Sequence, residues 1–252
     1  MNYTTLKKYK STTLLLLLIF IIPFACVDKV FGSDKGLILL KKAVQAAGGE
    51  QAFKGIKNFT VKTRTTISGS QTKTQVIITE TIEIPGKTKQ ILDFDNGSRI
   101  QVLNGNQSWK QINLTVSELS QLEKREMARG LFRDPIVLFS SYDTLNYDVR
   151  YVSDQTVSGQ TLQVIQIKDA QLDFFRLFID SATNLIVKKT YQGAAEAGYT
   201  TFEEIYSDYR DVSGIKVPYN IIVRTNGRVF IESVVSDFKI NSELGEDFFY
   251  KN

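Results

Sequence analysis

Most of this chain alternates between apolar and polar positions. From Asn58 to Ser68, Phe59, Val61, Thr63, Thr65 and Ile67 alternate with Thr60, Lys62, Arg64 and Thr66. That period of two is the pattern of a strand wet on one face. From Thr74 to Ile84, Val76, Ile78, Ile82 and Ile84 share a face, with Glu80 set among them. Gly86 to Phe94 and Arg99 to Leu103 continue the pattern on either side of Asn96-Gly97, a dipeptide whose two residues tolerate the positive φ of a tight hairpin. Gly105-Asn106 then turns the chain into a strand carrying Trp109. Five strands joined by short turns predict an antiparallel meander.

The period changes twice. Before the meander, Leu37, Leu40, Val44 and Ala47 recur at helical spacing, with Ser33 or Asp34 placed to cap the helix and Gly48-Gly49 to end it. After it, Ser117 opens a second helical stretch with apolar positions at Leu119, Leu122, Met127 and Leu131, interrupted by Gly130 and Pro135. Ile136, Val137, Leu138 and Phe139 follow as a compact apolar patch. Strands resume near Tyr147 and continue through Leu162–Lys168, Phe174–Asp180, Leu185–Tyr191, Thr201–Tyr209, Val217–Thr225 and Val229–Phe238, with Asn226-Gly227 as a second strong hairpin turn. The expected class is mainly β (α+β). It comprises a strongly curved antiparallel sheet, or incomplete barrel, of roughly eleven strands, with an N-terminal helix and a mid-chain helical lid. No repeat, linker or charge block divides residues 33–252, which read as a single domain.

The first 32 residues stand apart. Lys7, Lys8 and Lys10 precede an apolar run from Leu14 to Val27. Such a run spans about 21 Å as a helix, short of the roughly 30 Å of a bilayer core. A basic segment before a short apolar one is the form of a secretory signal. Cleavage after Gly32, behind Val30-Phe31-Gly32, gives a soluble exported chain. Cys26 after Ala25 offers a lipidation site instead, and an uncleaved anchor is the third reading.

Composition then removes whole classes of chemistry. The 252 residues include no His and one Cys. A Ser-His-Asp triad, a Cys-His pair, an HExxH zinc site and an internal disulfide are all excluded. The formal charge is +4 from 31 basic and 27 acidic residues. Four of those basic residues (Lys7, Lys8, Lys10, Lys29) and one acidic residue (Asp28) precede Ser33. The remainder holds 27 basic and 26 acidic residues, so the basicity belongs to the targeting segment and not to nucleic-acid binding. No metal site and no cofactor is expected.

Carboxylates are the abundant acid–base groups. Glu203, Glu204, Asp208 and Asp211 cluster in sequence, as do Asp169, Asp173 and Asp180. Strand spacing allows Glu204 and Asp208 to share a face as a glycosidase pair would; a solvated strand face beside Arg210 is the plainer reading. Asn58, Asn96, Asn106 and Asn113 head N-glycosylation triplets, two of them at turns where Asn serves anyway. A curled sheet needs either a packed plug or an apolar ligand on its inner face. The expected lining is Trp109, Leu119, Leu122, Met127, Leu131, Phe132, Ile136 and Phe139, each of which also reads as ordinary core.

Four segments resemble the LolA/LolB-like outer-membrane lipoprotein-sorting superfamily. They are Ala46-Ala47-Gly48-Gly49-Glu50-Gln51-Ala52-Phe53-Lys54-Gly55-Ile56-Lys57, the Asn104–Trp109 hairpin, the Ile179–Val187 turn, and the Tyr206–Tyr219 segment with its Asp-Tyr-Arg-x-x-x-Gly-Ile-Lys-x-Pro core. Within the last, Gly214 and Pro218 read as structural residues of a turn and a strand start. The resemblance covers nearly all of residues 33–252. It implies a periplasmic carrier or receptor that holds lipid or lipoprotein acyl chains in an apolar cavity, exchanging with an outer- or inner-membrane protein partner. The alternative within the same fold is a non-enzymatic sensor or protein-interaction domain whose cavity is filled by its own side chains.

Overall fold

The computed structural model describes residues 27–69, 72–171, 173–195 and 198–251. The predicted signal core and Cys26 lie outside the described residues. Helix α1 spans Val27–Ala46 and α2 spans Glu50–Lys54. Because α1 begins at Val27, Ser33 and Asp34 sit inside it and do not cap it. Its buried stripe is Leu39, Leu40, Ala43, Val44 and Ala47, while Leu37 is exposed. Gly48 and Gly49 end the helix with φ of 141° and 92°. Gly48 is also a close approach: a side chain there would strike the Gly214 carbonyl, and Lys216 N–H donates to the Ala47 carbonyl at 2.7 Å.

A first meander follows: β1 Asn58–Ser68, β2 Lys73–Glu83, β3 Lys87–Phe94, β4 Gly97–Leu103, β5 Trp109–Ile112 and β6 Thr115–Glu118. Helices α3 Gln121–Arg133 and α4 Pro135–Ser141 interrupt it. A second meander comprises β7 Asp148–Val157, β8 Gln160–Lys168, β9 Phe174–Asp180, β10 Ile186–Ala195, β11 Gly198–Val212, β12 Ile215–Thr225 and β13 Arg228–Ile240. The described residues are mainly β, as expected, and form 13 strands against the eleven or so that the pattern predicts. One difference is β6. Thr115–Glu118 alternates and pairs with β5, Trp109 opposite Glu118, so the helix starts only after Ser120. There Ser120 and Glu123 form a capping box. Gly130 does not break α3; the break falls at Asp134-Pro135.

All 13 strands form one antiparallel, curved and unclosed sheet. Every spatial neighbour is a neighbour in sequence, with one exception: β1 pairs with β13, Phe59 opposite Ile240. The two meanders are thus zipped together by the first and last strands, and the free edges are the mid-chain strands β6 and β7. The α3–α4 segment is the chain that crosses between those edges. Asn226 and Gly227 both take positive φ, 50° and 74°, as their hairpin requires. Ser158-Gly159 and Ser213-Gly214 do the same.

The inner face is covered unevenly. Ile165, Ile167, Phe175, Leu177 and Ile179 of β8 and β9 are fully buried in the main core cluster, which includes the stripe of α1 and Val137, Leu138 and Phe139 of α4. Gly36 sits against the backbone of β7 at Arg150 and Tyr151, which lets α1 lie close on that side. The inner faces of β1–β3 and β11–β13 do not receive such a plug.

Candidate functional site

The unplugged half encloses a cavity of about 580 Å³. Its walls are built by alternation: Phe59 and Val61 of β1, Ile78 and Ile82 of β2, Leu92 of β3, Phe202 and Tyr206 of β11, Ile221 and Val223 of β12, and Ile231 and Val235 of β13. The α3–α4 break covers it, with Gly130, Arg133, Asp134, Pro135, Ile136 and Phe139 on the wall. Phe53 of α2 meets Phe139 edge-on, with ring centroids 5.1 Å apart.

One side of the wall is aromatic and close-set. Tyr191 stacks on Phe202 at 5.5 Å. Phe202 also covers Gly193, where an added Cβ would come within 2.9 Å of its ring. Tyr209 O–H donates to the Ile186 carbonyl, and loss of solvent raises its phenol well above the ordinary value.

A polar group of side chains lies where the α3–α4 break meets the sheet. Lys189 of β10 is buried and donates to the Arg133 carbonyl at 3.0 Å, so a sheet residue holds the last turn of α3. Lys189 also pairs with Glu204 of β11 at 2.9 Å, and Tyr206 O–H donates to Glu204 at 2.6 Å. Burial acts to raise the Glu204 carboxyl, but the Lys189 charge and these donors outweigh it and hold the group below the usual carboxylate range. Across the cavity, Glu80 of β2 accepts from Gln90 at 2.8 Å and from Thr88 at 3.0 Å. Asp134 caps α4 by accepting from Ile136 and Val137 amides at 2.8 and 3.0 Å. Asp173, just before β9, pairs with both Arg129 and Arg133 of α3, at 3.0 and 2.9 Å. Arg129 also reaches Glu126 at 2.7 Å and the Tyr199 hydroxyl at 2.9 Å.

Of the eight residues proposed from sequence as lining, Ile136 and Phe139 are on the wall. Leu131 lies in the main core, and Met127 packs against it half-buried. Phe132 is wedged edge-on to Phe175 at 5.0 Å. Leu119 is buried ahead of α3, and Leu122 is 50% exposed. Trp109 belongs to a separate cluster with Val102 and Phe249, and its indole N–H donates to the Phe249 carbonyl at 3.3 Å. Register explains the difference. Val102 pairs with Lys89 and Leu103 with Thr88; Leu103 joins the inner core, so Val102 and Trp109 point outward. Most of the wall comes from the strands, and their alternation was the available signal. Alternation puts Phe59 and Val61 on one face, but it does not say whether that face is filled.

The structure also separates the two carboxylates weighed as a catalytic pair. Glu204 faces the cavity, whereas Asp208 has a φ of 55°, is exposed and pairs with Arg210 at 2.6 Å. The positive φ breaks the alternation of β11, so the i and i+4 positions leave one face. Pro218 lies within β12 and lines the cavity; β13 pairs with β12 only from Asn220 onward, so no ladder bond is lost there.

This arrangement of sheet, helical cover and cavity has known counterparts. A DUF1329 family protein from Desulfovibrio piger superposes with a TM-score of 0.57 at 10% identity, covering 85% of this chain and 96% of that one. A LolA superfamily protein from Nitrosomonas europaea gives 0.57 at 13% identity, over 86% and 97% of the two chains. A putative outer membrane lipoprotein-sorting protein domain from Vibrio parahaemolyticus gives 0.55 at 12% identity, over 86% and 97%. The fold is LolA-like. No family model and no curated protein matches the sequence. Among the described residues, no helix is long and apolar enough to cross a membrane.

Proposed function

We propose that this protein is an exported carrier or receptor that binds an acyl chain of a lipid or lipoprotein, without covalent chemistry. The observation that carries the reading is the apolar cavity of about 580 Å³ beneath the cover formed at the α3–α4 break. At about 30 Å³ per water-sized group, that volume has room for roughly twenty carbons, so a single long chain is the fitting occupant. Each methylene moved from water to such a wall is worth about 0.8 kcal/mol. The lining offers chain-compatible surface from Phe59, Ile82, Ile136, Phe139, Ile221 and Val223. The likeness to a putative lipoprotein-sorting domain supports the same class of ligand. Open volume favours this reading over a sensor with a self-filled cavity. In this reading residues 1–32 are a signal peptide, 33–252 the working domain in the periplasm, and an inner- or outer-membrane protein is the exchange partner.

The test is extraction and mass spectrometry of lipid from the purified protein, together with titration of a fluorescent fatty acid. Co-purified acyl lipid, and saturable binding that Val223→Trp reduces by about tenfold or more, are expected. Absence of both lipid and probe binding would sink the proposal.

A further inference from the structure

One carboxyl of the wall stands in an otherwise apolar stretch of strand. Glu80 lies on β2 between Ile78 and Ile82, with Val61 opposite it on β1, and all four line the cavity. Alternation turns 78, 80 and 82 inward together. A carboxyl closed off from water among such neighbours costs free energy wherever nothing completes its hydrogen bonds. Strand β3 completes half of them. Gln90 pairs directly with Glu80, and Thr88 lies two residues along the same face. Both donate to one oxygen, Oε1, at 2.8 and 3.0 Å. Thr88 is itself buried, which fixes that oxygen. Oε2 accepts from no group among the described residues. Nor is it sealed in: the side-chain atoms shut off from both solvent and partner are Asn58 Oδ1, Asn104 Nδ2, Arg133 Nε and Arg224 Nε. Oε2 therefore borders the open cavity. The other charged side chains of the wall are placed differently. Lys189 pairs with Glu204, Arg133 with Asp173 and Glu126 with Arg129, and Asp134 caps α4. Lys216 is in no ion pair among the described residues but is exposed to solvent.

We propose that Glu80 anchors the polar end of the ligand: through Oε2 its carboxyl bonds the carbonyl oxygen of the bound acyl group, so the cavity selects an acyl ester or fatty acid over a bare hydrocarbon. This rests on the acyl-chain reading of the cavity and adds which atom of the ligand the wall recognises. The two carboxyl oxygens are fitted for different roles. A neutral carboxyl has one oxygen that only accepts and one that carries a proton to donate. Oε1 takes both donors, Thr88 and Gln90, and is the accepting oxygen. Oε2 takes neither and is left to carry the proton. Loss of solvent raises the Glu80 carboxyl above the ordinary value, against the Gln90 donor, and so favours that neutral form. A hydrocarbon in the cavity would leave the Oε2 proton without an acceptor, whereas a carbonyl oxygen supplies one. Ile78, Ile82 and Val61, which surround Glu80, then meet the methylenes next to the carbonyl.

The test is displacement of a bound fluorescent fatty acid by methyl palmitate, whose ester is its only polar group, and by hexadecane, which has none. The readout is the ratio of the two affinities. That ratio is expected to favour the ester about tenfold more in the parent protein than in Glu80→Leu, which has no donor to offer. Glu80→Gln keeps an accepting oxygen for Thr88 and Gln90 and puts an amide N–H in place of Oε2, so it is expected to keep the parent's ratio. Glu80→Met carries the comparison if Glu80→Leu does not fold. A merely structural Glu80 would change both affinities alike and leave the ratio fixed. Palmitic acid is the second arm: binding tighter than the ester assigns a free acid as the head, and weaker binding an esterified chain. Hexadecylamine checks the opposite polarity. A preference for the amine that Glu80→Gln abolishes would mean an ionised, accepting Glu80 and would overturn the proposal. The same ratio in the parent and Glu80→Leu, or a Glu80→Gln ratio matching that of Glu80→Leu, would overturn it as well. If the parent binds no probe, the acyl reading falls and this proposal with it; binding without the shift in ratio defeats this proposal alone.

Discussion

The two halves of one inner sheet face are finished differently. On β8 and β9, Ile165, Ile167, Phe175, Leu177 and Ile179 are closed over by α1, α4 and Phe132. On β12 and β13, Ile221, Val223, Ile231 and Val235 face a cavity. Both sets are branched or aromatic and recur at strand spacing along the inward face. The strands themselves do not decide which half is core and which is site; the helices do, by covering one half and bridging the other. Gly36 brings α1 down beside β7 on the first half, and Gly48 seats the end of α1 against the β11–β12 turn at Gly214. The break at Asp134-Pro135 turns the α3–α4 segment across the second.

The largest test of that contrast truncates a large apolar side chain on each side. Phe175→Ala is expected to cost about 3–5 kcal/mol, because it empties a filled site whose neighbours cannot collapse. Ile221→Ala, facing existing space, is expected to cost less than half as much. Denaturant melts of the two variants make the measurement; equal losses would mean that the second half is as tightly packed as the first.

A second effect of nearly the same size concerns Lys189. Removing it by Lys189→Ala leaves Glu204 without its counter-charge and the Arg133 carbonyl without its donor. A loss of about 3 kcal/mol is expected. The double variant Lys189→Met with Glu204→Met should recover most of it, since no lone charge then remains in the cavity wall. If the single variant is neutral, the pair does not hold the cover to the sheet.

The smallest effect belongs to the start of the cover. Lys110 of β5 donates to Glu123 at 2.6 Å, and the Ser120 backbone and hydroxyl donate to it at 2.8 and 2.7 Å. Those contacts, Lys110 first, lower the Glu123 carboxyl to about 2. A lowered carboxyl stabilises above its unfolded value and loses that contribution as pH falls through the folded one. The site is partly exposed, so Glu123→Gln is expected to cost about 1 kcal/mol or less. Its cost should vanish as the pH approaches about 2, as melts at neutral and acidic pH would show.

How much of this was legible in the sequence follows from the range of each interaction. Alternation placed β1, β2, β9 and β12 to within a residue or two, because the pleat fixes side-chain direction locally. Asn226-Gly227 and Gly48-Gly49 marked their turns, because positive φ is a local demand. The mid-chain segment was harder: Thr115–Glu118 is too short for its period to show, and only pairing with β5 makes it a strand. Trp109 reads from sequence as cavity lining together with the apolar residues of the mid-chain insert, yet its register with Val102 turns it outward against Phe249. The lining from β1, β2, β11, β12 and β13 was visible as apolar faces and invisible as a cavity.

By itself, then, the sequence determined the strands, the turns, the inward faces and the absence of imidazole and disulfide chemistry. Each of these depends on a residue and its near neighbours. Only the tertiary structure decided that β1 zips to β13, that Lys189 meets Glu204 and the Arg133 carbonyl, and that one half of the inner face lines a cavity. Those outcomes depend on packing between segments far apart in the chain, where the pattern of any one segment says what it must bury and not what will cover it.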